Sequence, residues 1–118
     1  MNTKLLGKWG EEKAAEFLQK KKYKLLSAGY RTRYGEIDLI AQQKNTVVFV
    51  EVKLRKSADF ARAMEYVDIH KQQRLRSTAE LWLDENNTDL PCRFDVVEVY
   101  APEGEKGSIR INHIENAF

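Results

Sequence analysis

The sequence holds a single cysteine, Cys92, and two histidines, His70 and His113. One thiol excludes an internal disulfide, and no Cys or His spacing matches a zinc site. There is no apolar run near the roughly 18–20 residues that a membrane-spanning helix requires. The stretch Met1 to Trp9 carries lysines but no apolar block followed by small residues, so it does not read as a secretory signal. Internal repeats and low-complexity segments are also missing. What is present is 42% apolar and 32% charged residues in a chain of 118. That supplies one modest core and is too little for two. The expectation is one cytoplasmic domain over residues 1–118, with no membrane association.

The net charge of +2 hides an asymmetry. Residues 1–76 hold 17 Lys or Arg against 9 Asp or Glu, whereas residues 77–118 hold 3 against 9. A basic first part suits an anionic partner, although separation along a chain need not be separation in space.

Residues 3–21 have helical periodicity. Leu6, Trp9, Gly10, Ala14, Phe17 and Leu18 share one side, Glu11 lies at the border of that stripe, and Glu12 points away. Strands are expected at 23–34, 35–41 and 46–54, the last being the strongest by composition. The short polar turn at 42–45 makes the last two an antiparallel hairpin. Residues 55–66 lack a clean period and read as a loop or a partly helical segment, and 67–84 as a helix buried through Leu75, Ala79, Trp82 and Leu83, with Asp68 and Lys71 on the same side. Strands at 92–100 and 108–114 complete an α/β pattern, a mixed sheet covered by helices. Trp9 and Trp82 read as core. His70 and His113 read as isolated, and Cys92 as an inert small apolar residue.

Chemistry concentrates in the hairpin. Val48, Val50, Val52 and Leu54 form one wholly apolar face of the strong strand, and Val47, Phe49, Glu51 and Lys53 the other. Such a strand is buried on both sides at its start, with a carboxylate and an amine emerging at its end. The hairpin folds Asp38 back beside either Phe49 or Glu51, at about 4.5–8 Å between Cβ atoms, close enough for Asp38 and Glu51 to share a cation. Hard oxygen ligands favour Mg²⁺, Mn²⁺ or Ca²⁺. The plainer reading is an exposed cross-strand ion pair worth about 0–1 kcal/mol. Arg31, Arg33, Arg55 and Lys56 flank the hairpin, and Lys71, Arg74 and Arg76 lie on the following helix. A carboxylate-bound metal ringed by cations suits a phosphodiester, which such cations hold without reading sequence.

Gly35-Glu-Ile-Asp38-Leu-Ile followed by Val50-Glu51-Val-Lys53 resembles the signature of the YraN-like family of bacterial proteins, itself similar to the PD-(D/E)xK nucleases. That superfamily includes restriction enzymes and archaeal Holliday-junction resolvases. Gly10-Glu11, Tyr30-Arg31, Lys71 with Leu75, Arg93-Phe-Asp-Val-Val97 and His113-Ile-Glu-Asn-Ala-Phe118 extend the resemblance over nearly the whole chain. It implies a restriction-endonuclease-like fold, a mixed central sheet flanked by α-helices. Asp38 and Glu51 would be ligands of Mg²⁺ (or Mn²⁺), Lys53 the catalytic lysine, Glu11 an accessory carboxylate, and Lys71 a residue approaching the same cleft. Ile37 stands where the superfamily has proline, and Gly29 replaces a frequent asparagine.

The expected activity is that of a metal-dependent endonuclease acting on DNA, with branched DNA favoured by analogy with resolvases. Arg31, Arg33, Arg55, Lys71 and Arg74 would contact the nucleic acid, and the analogy admits a homodimer. Two alternatives come from other classes. One is a nucleic-acid-binding module that has lost catalysis. The other is a protein-interaction scaffold with a structural ion cluster, which predicts no salt-dependent DNA binding.

Overall fold

A computed structural model describes residues 3–56 and 67–118. The expected loop at 55–66 therefore lies mostly outside the described residues. Helix α1 spans Thr3–Lys20, strands β1 Lys24–Thr32, β2 Gly35–Gln43 and β3 Thr46–Arg55, helix α2 Ile69–Glu85, and strands β4 Cys92–Tyr100 and β5 Arg110–Ile114. The strands form one sheet in the order β1-β2-β3-β4-β5. Among the described residues only the β3–β4 neighbours are parallel; the other pairs are antiparallel. This is the mixed α/β architecture that the resemblance implies.

The two faces of β3 separate as its alternation requires. Val47 and Phe49 pack with Leu75, Ala79 and Trp82 of α2. Val48 and Val50 pack with Ala14 and Leu18 of α1, and Val52 and Leu54 lie against the same cluster. Each helix thus covers one face of the sheet, and β3 in the middle is apolar on both sides because both sides are covered. Gly10 is buried against Leu54, which brings the start of α1 down onto the end of β3. Helix α2 begins at an N-cap, where the Asp68 carboxylate accepts the Lys71 N–H at 2.9 Å.

Strand β1 is shorter than the sequence pattern suggests. Arg33 and Tyr34 form the turn into β2, where the Tyr34 N–H donates to Thr32 Oγ1 at 3.1 Å. Gly29 has φ +70, a region that both glycine and asparagine tolerate, so the exchange of one for the other leaves the strand's path intact.

Candidate functional site

The β2–β3 ladder sets the register that sequence left open. Leu39 pairs with Val50, and a continuation would place Asp38 opposite Glu51 rather than Phe49. The ladder stops at that point. Ile37 and Ile40 both join the α2-side cluster while Leu39 joins the α1-side one, so strict alternation fails between Ile37 and Leu39. Asp38 takes over the lost backbone bond: its Oδ2 accepts the Val52 N–H at 2.8 Å. The carboxylate is thereby held in the gap between the two strands.

Glu51 is 8% exposed. Its Oε1 accepts a hydrogen bond from Lys71 Nζ at 2.7 Å and lies 3.5 Å from Lys53 Nζ. Hydrogen bonds engage Oδ2 of Asp38 and Oε1 of Glu51; the second oxygen of each makes none among the described residues.

Burial drives the electrostatics. Asp38 is pushed up to about 7, first by loss of water and then by the Glu51 charge, with Glu11 and Glu36 adding to the rise and the Val52 N–H opposing it. Burial also raises Glu11, followed by the repulsion of Glu36 and Glu51. Lys53 is drawn below the usual lysine range, by burial and then by its neighbour Lys71, against the pull of Glu51. Burial works against the charged form of Lys71 too, but its bond to Glu51 outweighs that and holds it above the ordinary value.

Glu11, Asp38, Glu51, Lys53 and Lys71 therefore act on one another electrostatically, from α1, β2, β3 and α2. Among the described residues, no group of three or more His, Cys, Asp or Glu side chains is arranged to hold an ion. The donors still fit a hard cation. Mg²⁺ is held by one or two carboxylates with waters and substrate phosphates, and Asp38 and Glu51 supply two such oxygen donors.

The basic residues divide. Arg33 and Tyr34 are exposed at the β1–β2 turn, and the Arg33 guanidinium donates to the Tyr34 hydroxyl at 2.8 Å and lies 5.0 Å from its ring centroid. Arg74 on α2 is exposed beside this turn: a Cβ added to Gly35 would lie 3.8 Å from Arg74 Cβ. Arg31 is exposed as well but pairs with Glu36 at 3.0 Å. Arg55 does not join them. Its side chain is 16% exposed, and its Nε is 3.8 Å from Glu98 Oε2 beneath the surface.

A second polar cluster escaped the sequence reading. Asp95, fully buried, accepts from Arg93 Nε at 2.9 Å, from the Asn116 N–H at 2.9 Å and through a 2.7 Å contact with His113 Nε2. His113 is thus not isolated; its Nδ1 is 2.7 Å from Lys21 Nζ. The Arg93–Asp95 spacing of two was a visible signal, since both side chains fall on one face of a strand. The arrival of His113 required the β4–β5 register, in which it pairs with Val97. Cys92 is exposed rather than packed.

Among the described residues no helix is long and apolar enough to cross a membrane. Comparison with known sequences accounts for most of the chain at once. A UPF0102 protein of Caldanaerobacter subterraneus subsp. tengcongensis is 44% identical, over 100% of this chain and 98% of its own length. One from Caldicellulosiruptor saccharolyticus is 44% identical over 100% of both chains. One from Syntrophomonas wolfei subsp. wolfei is 44% identical over 96% of each. The family model matches residues 10–99, a span that contains Glu11, Asp38, Glu51, Lys53 and Lys71. By that match and by full-length relatives, the chain belongs to the uncharacterised protein family UPF0102.

Proposed function

We propose that this protein is a divalent-metal-dependent endonuclease that hydrolyses DNA phosphodiester bonds. One observation carries the reading: the Asp38 carboxylate accepts the Val52 N–H just past the last ladder pair, Leu39–Val50, and Lys53 Nζ lies 3.5 Å from the Glu51 carboxylate one residue before Val52. Asp38 and Glu51 would hold Mg²⁺ (or Mn²⁺), which when bound supplies Lewis acidity to the phosphate and a more acidic water.

The chain's own residues do the rest. Lys53 Nζ orients the attacking water, and as an ammonium it balances charge developing on the phosphoryl oxygens. Burial and the neighbouring Lys71 draw its pKa below the usual lysine range, against the pull of Glu51. Glu11 adds an accessory carboxylate from α1. Arg31, Arg33 and Arg74 contact backbone phosphates, with Lys71 nearer the acids, while Arg55 stays with Glu98 inside. Branched or otherwise structured DNA is the substrate favoured by analogy with resolvases, as is a homodimer.

A second reading is a nucleic-acid-binding module without cleavage. It is favoured by the two ammonium groups already gathered on Glu51. A panel of duplex, single-stranded and branched DNA with Mg²⁺ or Mn²⁺ separates the two. The nuclease reading expects cleavage by wild type, with cleavage lost but binding kept in Glu51→Ala and Lys53→Ala. Binding without cleavage by wild type establishes the module. Metal-dependent cleavage persisting in both variants removes these residues from their roles.

A further inference from the structure

Glu51 is contacted by two lysines from different elements, and they are not equivalent. Lys53 comes from the same strand, is 17% exposed, and stands 3.5 Å away. Lys71 comes from the first turn of α2, is 31% exposed, and makes the shorter contact at 2.7 Å on the same oxygen, Oε1. Its backbone N–H is fixed by Asp68, so the base of the side chain is held while the long stem stays free to turn.

Consider the charge in this small volume. Glu51 faces two ammonium groups, so its own charge is offset without any added ion, while Asp38 and Glu11 add carboxylates beside it. A divalent cation entering beside Asp38 and Glu51 would find both ammoniums within a few ångströms, and repulsion at that distance in a half-buried setting is large. That repulsion favours the departure of one ammonium. Lys53 is the more enclosed and is tied to β3, whereas Lys71 sits at the rim and can reach solvent without moving the backbone.

We propose that Lys71 is the exchangeable counter-ion of the Asp38–Glu51 pair. It occupies Glu51 Oε1 while no divalent cation is present, gives up that oxygen when one enters, and then turns its ammonium toward an anionic ligand at the cleft. Lys71 is in this sense a positioning residue that holds the cation-free cleft together and sets how readily it loads. The inference rests on the metal-site reading above and concerns the regulation of that same site.

The test uses the full chain, Mn²⁺ alone and no DNA, so that binding is read apart from activity. Calorimetric titration should show Lys71→Met, which keeps the stem and loses the charge, binding Mn²⁺ at least about tenfold more tightly than wild type, as expected for removal of one nearby unit charge. Lys71→Arg, which keeps the charge, should stay near the wild-type affinity. Equal or weaker binding by a natively folded Lys71→Met overturns the exchange. If that variant does not fold, the side-chain Nζ resonance of Lys71 in wild type decides. It should shift on saturation with diamagnetic Mg²⁺, and a resonance unmoved by the ion overturns the proposal. Wild type that binds no Mn²⁺ overturns the metal site together with this inference. Wild-type binding that is lost in Asp38→Ala but unchanged in Lys71→Met overturns the inference alone.

Discussion

Replacing Asp38 with asparagine removes a charge from the acidic gap while keeping the side-chain shape and an oxygen for the Val52 N–H. The folded protein holds the Asp38 proton up to about pH 7, whereas the ordinary value is 3.8. Between those limits the unfolded chain has released a proton that the folded chain keeps. Stability therefore falls as pH rises through this window and levels off above it. At about 1.36 kcal/mol per pH unit, the span of roughly three units corresponds to at most about 4 kcal/mol. The asparagine side chain has nothing to titrate, so Asp38→Asn should match wild type near pH 4 and exceed it by up to this amount at pH 8. Urea unfolding followed by tryptophan fluorescence, with a chelator present, measures the gap at each pH. A gap that does not change between pH 4 and pH 8, or one that favours wild type at high pH, would refute the burial and repulsion assigned to Asp38. Saturating Mg²⁺ should then restore wild type and leave the variant unmoved.

Other changes separate surface from interior. Asp95→Ala removes the buried acceptor shared by Arg93, His113 and the Asn116 N–H, and should cost about 1–3 kcal/mol in urea unfolding because buried donors lose a partner while Arg93 keeps Glu115. Arg33→Ala and Arg74→Ala should each reduce the salt dependence of DNA binding by about one unit of slope. Arg55→Ala should leave that slope unchanged and lower stability, since its partner is the buried Glu98. An unchanged slope in Arg33→Ala and Arg74→Ala, with a reduced one in Arg55→Ala, would invert the assignment.

Much of this was legible in the residues. Helix α1 follows from its apolar stripe, which also sets Glu11, partly buried, apart from the exposed Glu12. The two faces of β3 follow from period-two alternation, and each meets the helix that covers it. Local patterns of this kind survive because each is decided by a few neighbouring side chains and one boundary with water. Arg55 shows the opposite case. Its place in the sequence beside Lys53 and Lys56 is that of a surface cation, yet Glu98 on the neighbouring strand β4 draws it inward.

Composition and alternation were enough to dictate an α/β chain with a twice-covered central strand and acids gathered near its end. They could not dictate which atoms meet. The register of Leu39 on Val50, the break that hands the Val52 N–H to Asp38, and the reach of Lys71 from α2 to Glu51 all join residues distant in the chain. So does the closing of His113 onto Asp95. Contacts like these depend on how whole elements settle against one another, and a shift of one residue along a strand would turn every one of that strand's side chains to the other face.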